Sequence, residues 1–333
     1  MVTERLEGGL GVLRAAELLG RGGVVAFPTE TVYGLGANAL DAGAVARIFA
    51  AKERPGWDPV IVHVSDRVML ERVAVISDDV SAHVEALMAA FWPGPLTLLL
   101  PRTAAVPDSV TAGRPLVGVR MPAHPIALEL ILTARLPVAA PSANRFGRIS
   151  PTTAAHVLAD LDGRIDAVFD GGPTLVGVES TVLDVSQMLI YRPGAVTAEM
   201  IRAVAGEVRM FAGGDAGSRP ESLPSPGVGI RHYAPRARLV LVDNEAALRA
   251  AAQELAGSQH VGVMLPEGWS AEARVREFRW GPWDDPAALA RRLFAGLRDL
   301  DEAGVSVILC PAPLRGGLGD ALRDRLEKAA RLR

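Results

Sequence analysis

The stretch FPTETVYGLG, from Phe27 to Gly36, follows an apolar run that begins at Val24 and sets two hydroxyls, a carboxylate and a phenol where a plain turn would need none. Four further polar clusters interrupt apolar segments of the first two hundred residues. KERPGWDP carries Lys52, Arg54 and Asp58; LVGVR ends in Arg120; APSANRFGRISPT carries Ser142, Asn144 and Ser150; VESTV carries Glu179, Ser180 and Thr181, with Arg192 closing LIYR a few residues on. Lys52 and Arg54 stand two apart, so in an extended loop both would project to one side and could clamp adjacent phosphates. Of the 35 basic residues, only Lys52 and Lys328 are lysines, which sets Lys52 apart as a compact ammonium. By the same alternation Glu30 points away from Thr31 and serves only to fix the loop, while Thr29 supports it and Tyr33 walls the pocket.

Each cluster alone has an ordinary explanation. Ser and Asn beside Pro form turns, Ser150 before Pro151 and Thr152 can cap a helix, single arginines are usually solvated, and His63 in VIVHV reads as a satisfied strand histidine. Their repetition at strand ends, where open α/β sheets collect ligands, favours a site. Several cations, many hydroxyls, one carboxamide and few free acids suit an anionic, hydrogen-bond-rich ligand such as a nucleotide. No nucleophile–base pair accompanies them. Phosphate-loop, dinucleotide-loop and nucleophile-elbow motifs are absent, and no Cys or His stands at metal-ligand spacing.

The elements that must hold these residues follow from periodicity. Helices are predicted near 10–20, 42–51, 80–90, 126–134, 152–158 and 198–204. Strands are predicted at VVAF, PVIVHV, LTLLL, LVGVR, PVAA, AVFD, TVLDV and LIYR. Strands that follow one another directly imply a twisted mixed sheet with flanking helices. After about Ala205 the composition turns to Gly, Pro and Ser, the chemistry of a linker. From Arg238 strands RLVLV, HVGVML and VSVILC alternate with helices at 245–255, 286–297 and 318–332, a small Rossmann-like parallel α/β unit. The expected division is 1–205, a linker at 206–238, and 239–333.

Charge is nearly balanced, 35 basic against 38 acidic residues, so an anion site must be local rather than a global field. No apolar run approaches a membrane span and MVTERLEGG is no signal peptide, so a soluble cytoplasmic protein without membrane contact is expected. The single cysteine, Cys310, reads as a buried, inert thiol.

PTETVYGLG, KERP, FWPGPLTLLL, VGVRMP, APSANRFGRISPT, VESTVLD and RPGAV, in that order, resemble the YrdC-like threonylcarbamoyl-AMP synthases. SPGVGIRHYAP and the ending GLGDALRDRLEKAA resemble their long two-domain form. The resemblance implies a twisted sheet with a large positively lined cavity. The implied activity is that of a nucleotidyltransferase: L-threonine, bicarbonate and ATP yield threonylcarbamoyl-AMP and pyrophosphate. Mg²⁺ would be held mainly by the phosphates, and the product would pass to the machinery that modifies an adenosine of tRNA, with at most weak contact to the tRNA itself.

It also implies that Thr31, His63, Arg120 and Ser180, with the backbone at Ala140, hold threonine. Lys52, Arg54, Ser142, Asn144, Ser150 and Arg192 would hold the nucleotide, with Asp58, the backbone near Leu116, and Tyr233 beside it and Thr29, Tyr33 and Thr181 in support. The linker would close as a lid. The chain departs from the family pattern in two places. Asp58, Pro59 and Val60 stand where Asn, Pro and Leu are usual, and Gly229 and Ile230 stand where an extra aromatic is usual. Two alternatives remain at this stage: a non-catalytic homologue that binds nucleotide or RNA, and an adenylate-forming enzyme that carbamoylates another acceptor.

Overall fold

The computed structural model describes residues 2–211 and 232–331. Contacts divide them into two units, one of 2–146, 151–175 and 179–211, the other of 147–150, 176–178 and 232–331. The expected linker at 206–238 and its departure at Gly229 and Ile230 fall largely outside the described residues.

The first unit is built on strands β1 (Glu4–Leu6), β2 (Val25–Phe27), β3 (Gly34–Asn38), β4 (Ile61–His63), β5 (Leu96–Pro101), β6 (Leu116–Arg120), β7 (Val138–Ala139), β8 (Ala167–Phe169), β9 (Thr181–Asp184), β10 (Leu189–Arg192) and β11 (Arg209–Met210). They form one sheet in the order β1-β8-β2-β3-β7-β4-β6-β5-β9-β10-β11. Parallel pairs such as β4 with β6 and β5 with β9 alternate with antiparallel pairs such as β5 with β6 and β4 with β7. A mixed sheet of this kind lets consecutive strands turn back directly while helices cover them. Val62, Leu98, Leu100, Val117, Val119, Ala139 and Leu183 point to the main core together with helical residues such as Val45, Ile48, Leu87 and Leu130.

Four strands escaped the periodicity reading. GLGAN, which opens inside the glycine-bearing turn, is β3. Gly34 and Gly36 hid the strand signal, and Gly36 is needed there: a Cβ on it would lie 2.6 Å from Phe27 Cε1 and 2.8 Å from Val138 Cγ1. β1 and β11 are three- and two-residue strands, respectively, too short to show a period.

In the second unit strands β12 (Arg238–Val242), β13 (Val261–Pro266), β14 (Arg276–Gly281) and β15 (Val307–Pro311) are all parallel, in the order β12-β15-β13-β14. β14, sequence REFRWG, was missed because an edge strand tolerates charges that a central one does not. Cys310 lies buried on β15, and burial pushes its thiol well above the usual range. A cavity of about 490 Å³ at the ends of β13 and β14 is lined by Glu267, Gly268, Arg279, Gly281, Pro282 and Arg292, none of them expected from the sequence. Among the described residues no helix is long and apolar enough to cross a membrane.

Gly36→Ala is expected to lower unfolding free energy by about 1–3 kcal/mol through overpacking against Phe27 and Val138. Urea denaturation checks this; an unchanged midpoint would show that the backbone can make room.

Candidate functional site

Strand alternation and register decide which side chains share a face. His63 pairs with Arg120 and Ile61 with Gly118 across β4 and β6, Leu99 pairs with Gly118, and Thr97 and Arg192 both pair with Val182. Direct cross-strand partners lie on the same face. One face of the central strands therefore carries His63, Arg120, Thr97 and Arg192 in a polar row, with Ser180 just before β9. Beside them is a separate apolar floor of Ile61, Leu99 and Val182, against which Leu116 and Tyr191 pack. Gly118 keeps that floor low: a Cβ there would stand 3.2–3.5 Å from Thr97, Leu99 and Ile61.

At one end the loop after β2 closes on Arg120. Thr29 donates to the Val32 carbonyl at 2.6 Å, which leaves its oxygen to accept from Thr31, 2.8 Å away, while Arg120 Nη1 donates to Thr31 at 3.0 Å. Arg120 Nε donates to the Gly94 carbonyl at 3.1 Å, and Nη2 lies 2.5 Å from Glu30 Oε1. Glu30 thus does not point away. Residues 29–33 form a bent loop rather than a strand, so period-two alternation does not apply to them. His63 is buried, and burial together with the Arg120 charge pushes it down to about 3, so its ring is neutral at physiological pH. Tyr33 donates to the Gly172 carbonyl at 2.7 Å; burial raises its phenol to about 12. Tyr33 therefore holds a neighbouring loop.

The cations gather a short way off. Lys52 does not sit in an extended loop: it ends the helix Ala42–Lys52, which Asp41 caps, and Glu53 at φ 55° turns the chain out. Both Lys52 and Arg54 are nonetheless buried. Lys52 Nζ donates to the carbonyls of Ser142, at 2.5 Å, and Asn144, so it latches the loop that bears both. Burial, then the Arg54 charge, holds its ammonium well below the usual lysine range. Arg54 pairs with Asp58 at 2.9 Å and donates to the Pro59 carbonyl at 2.7 Å. Burial raises the Asp58 carboxyl, while the charges of Arg54, Lys52 and Arg192 act against that rise.

Arg192 donates to the Ser180 carbonyl at 3.0 Å and hydroxyl at 3.1 Å, and Ser180 lies 2.8 Å from Thr97 Oγ1. Thr181 turns instead to the Val196 carbonyl at 2.5 Å. The amide of Ala140 donates to the Ile61 carbonyl at 2.8 Å.

The first unit accordingly brings together Thr31, Arg120, His63, Ser180 and Arg192 on one face, and Lys52, Ser142, Asn144, Arg54 and Asp58 in one cluster. Ser150 and Tyr233 belong to the second unit. There Arg298 donates to the Ser150 and Ile149 carbonyls. Tyr233, at φ 64°, stacks on Phe294 at 5.6 Å beneath the Arg325 guanidinium. Thr97 was not singled out from the sequence; the signal was a lone hydroxyl inside LTLLL.

A mixed-sheet α/β unit with buried cations and hydroxyls converging on one face is a protein of the class that takes anionic, hydrogen-bonding ligands. Residues 17–194 match the Sua5/YciO/YrdC family model, described as "telomere recombination", and 196–331 match that of the "threonylcarbamoyl-AMP synthase, C-terminal domain". The chain belongs to the Sua5/YciO/YrdC family. It is 43% identical to the threonylcarbamoyl-AMP synthase of Pyrococcus abyssi, over 95% of this chain and 93% of that one. Identity to the Bacillus subtilis protein of the same name is 42%, over 96% and 92%. A crystal structure of P. abyssi Sua5 complexed with L-threonine superposes with a TM-score of 0.90 at 42% identity, covering 99% of this chain and 98% of that one.

The histidine gives a pH test. The unfolded chain takes up a proton at His63 near pH 6.5 that the folded state refuses until about 3. Its stabilising contribution is thus full above about 6.5 and is lost as pH falls through that window, by up to about 1.4 kcal/mol per pH unit. Denaturation of His63→Gln between pH 7 and 4 should show a shallower acid decline than the parent; parallel curves would mean that His63 ionises freely.

Proposed function

We propose that this chain makes L-threonylcarbamoyl-AMP from L-threonine, bicarbonate and ATP, releasing pyrophosphate, and that the product is passed on to a transferase acting on tRNA. The observation that carries the reading is the convergence of Thr31, Arg120, His63 and Ser180 with Arg192 on one buried sheet face, in a chain so similar to a Sua5 that was crystallised with L-threonine.

The chemistry asks for alignment and charge neutralisation more than for a protein nucleophile. The amine of threonine adds to CO₂ derived from bicarbonate; the carbamate oxygen attacks the α-phosphorus, and pyrophosphate leaves. In this reading Arg120 receives the amino-acid carboxylate and Thr31 and Ser180 its polar atoms, with His63 as a neutral wall and the Ala140 backbone close by. Lys52, Arg54 and Arg192 face the phosphates, and Ser142 and Asn144 hold the nucleotide through their latched loop. Ile61, Leu99, Leu116 and Gly118 offer a flat apolar floor of the kind a base can lie on. Asp58 acts here as the counter-ion of Arg54.

The donor set suits Mg²⁺ that arrives on the triphosphate: two of the buried carboxylates near these groups, Glu30 and Asp58, each already stand against an arginine. When bound, the ion would offset charge on the departing pyrophosphate.

Incubation with ATP, Mg²⁺, bicarbonate and labelled threonine should give threonine-dependent pyrophosphate and a labile labelled adenylate on chromatography. Pyrophosphate released without threonine, or a label transferred to another acceptor, would reject the reading. Thr31→Val should lose about 1–3 kcal/mol of stability with the Arg120 hydrogen bond but stay folded at the assay temperature, and its turnover should fall further than the folded fraction measured by melting accounts for. Lys52→Ala should weaken ATP use by about 1.5–3 kcal/mol, the worth of a charged hydrogen bond, measured as kcat/KM for ATP.

A further inference from the structure

We propose that Glu30 is a catalytic residue: it receives the ammonium group of the amino-acid substrate and takes the proton that must leave before nitrogen can attack. The inference rests on the reaction proposed above and concerns a side chain that the resemblance left without a role.

Glu30 is buried at 6% exposure, and neither carboxylate oxygen accepts a hydrogen bond among the described residues. Oε1 lies against Arg120 Nη2 at 2.5 Å, but the N–H does not aim at it, so the two are a charge contact with unused hydrogen-bonding capacity. A buried carboxylate so placed is costly unless a donor arrives. Arg120 spends Nε on Gly94 and one Nη1 hydrogen on Thr31, which fixes the guanidinium and hence the place beside it. Among the described residues, Glu30 contacts Arg120 and acts by its charge on His124, and His63 lies across the strand pair from Arg120.

An α-amino acid presents one anion and one cation two bonds apart. Arg120 and Glu30 present the complementary pair side by side, so one substrate can satisfy both. The amine arrives protonated and has no lone pair. Of the groups beside Arg120, Thr31 is a hydroxyl and His63, pushed down to about 3, is a feeble base; His124 feels the Glu30 charge but makes no hydrogen bond to Arg120 among the described residues. Glu30 is the carboxylate in contact with the group that would hold the substrate. The step balances as R–NH₃⁺ + HCO₃⁻ + Glu30–COO⁻ giving R–NH–COO⁻ + Glu30–COOH + H₂O. The nitrogen lone pair forms the N–C bond. The C–OH bond of bicarbonate breaks with its electron pair on oxygen, one ammonium proton leaves with that hydroxide as water, and the other goes to Glu30.

The test uses the full chain and its Glu30→Gln and Glu30→Asp variants, with melting curves to confirm folding. Calorimetry compares L-threonine with (R)-3-hydroxybutyrate, which lacks only the amine. The parent should prefer threonine by at least about tenfold, and Glu30→Gln should shrink that preference to less than about threefold. Threonine-dependent pyrophosphate release should fall about 10²-fold or more in Glu30→Gln. The residual rate should climb roughly tenfold per pH unit toward the amine's own titration, while the parent and Glu30→Asp stay flat. An unchanged preference together with an unchanged pH profile in Glu30→Gln would overturn the proposal. If that variant does not fold, equal binding of the two ligands by the parent overturns it and a threonine preference upholds it. No threonine-dependent pyrophosphate from the parent would instead sink the reading of the reaction, and the ligand comparison would still decide whether Glu30 meets the amine.

Discussion

A guanidinium buried on a sheet face is the constraint from which the rest of the first unit follows. Arg120 ends β6 at 3% exposure, where an unpaired cation would be untenable. It is held by the Gly94 carbonyl, by Thr31 and by the charge of Glu30. Those partners come from segments far apart in sequence, so the loop after β2, the turn before β5 and the end of β6 are fixed by a single side chain. The Thr29 hydroxyl completes the arrangement by closing its own loop on Val32, which turns Thr31 and Glu30 inward together.

The second cluster follows a different rule. Lys52, Arg54 and Arg192 act on a single buried acid, Asp58, and much of their hydrogen-bonding capacity goes to backbone carbonyls. Cations so engaged are held rigidly and cost no side-chain ordering when a ligand comes, which is the benefit of preorganisation. The acid at Asp58 makes structural sense in this light, because Arg54 and Asp58 neutralise each other across 2.9 Å in a place with 3% exposure on both sides.

Much of this was legible in the sequence, and the limits are physical. Strands such as LTLLL and LVGVR announced themselves because apolar, β-favouring residues occupy both faces, as a buried sheet demands. The polar interruptions at their ends located Arg120, Ser180 and Arg192. The glycine-bearing β3 was hidden, since a strand chosen for close approach to Phe27 and Val138 lacks the side chains that reveal a period. β14 was hidden by its charges. The pairings of Glu30 with Arg120 and of Asp58 with Arg54 were hidden for other reasons. The first depends on a loop that no alternation describes, and the second on a left-handed residue at Glu53 that redirects the chain. Thr97 shows the converse case: its hydroxyl was in plain view, but only register with Val182 puts it beside Ser180.

The scarcity of lysine has a consequence for the life of the product. A carbamoyl adenylate is a mixed anhydride and acylates exposed primary amines. Lys52 and Lys328 are the lysines of the 333-residue chain, both are buried, and Lys328 is held by Asp324 at 2.7 Å. Positive charge elsewhere is carried by arginine, whose guanidinium stays protonated and is a poor nucleophile. An enzyme that releases such an electrophile thus presents it with an outer surface almost devoid of side chains it could modify.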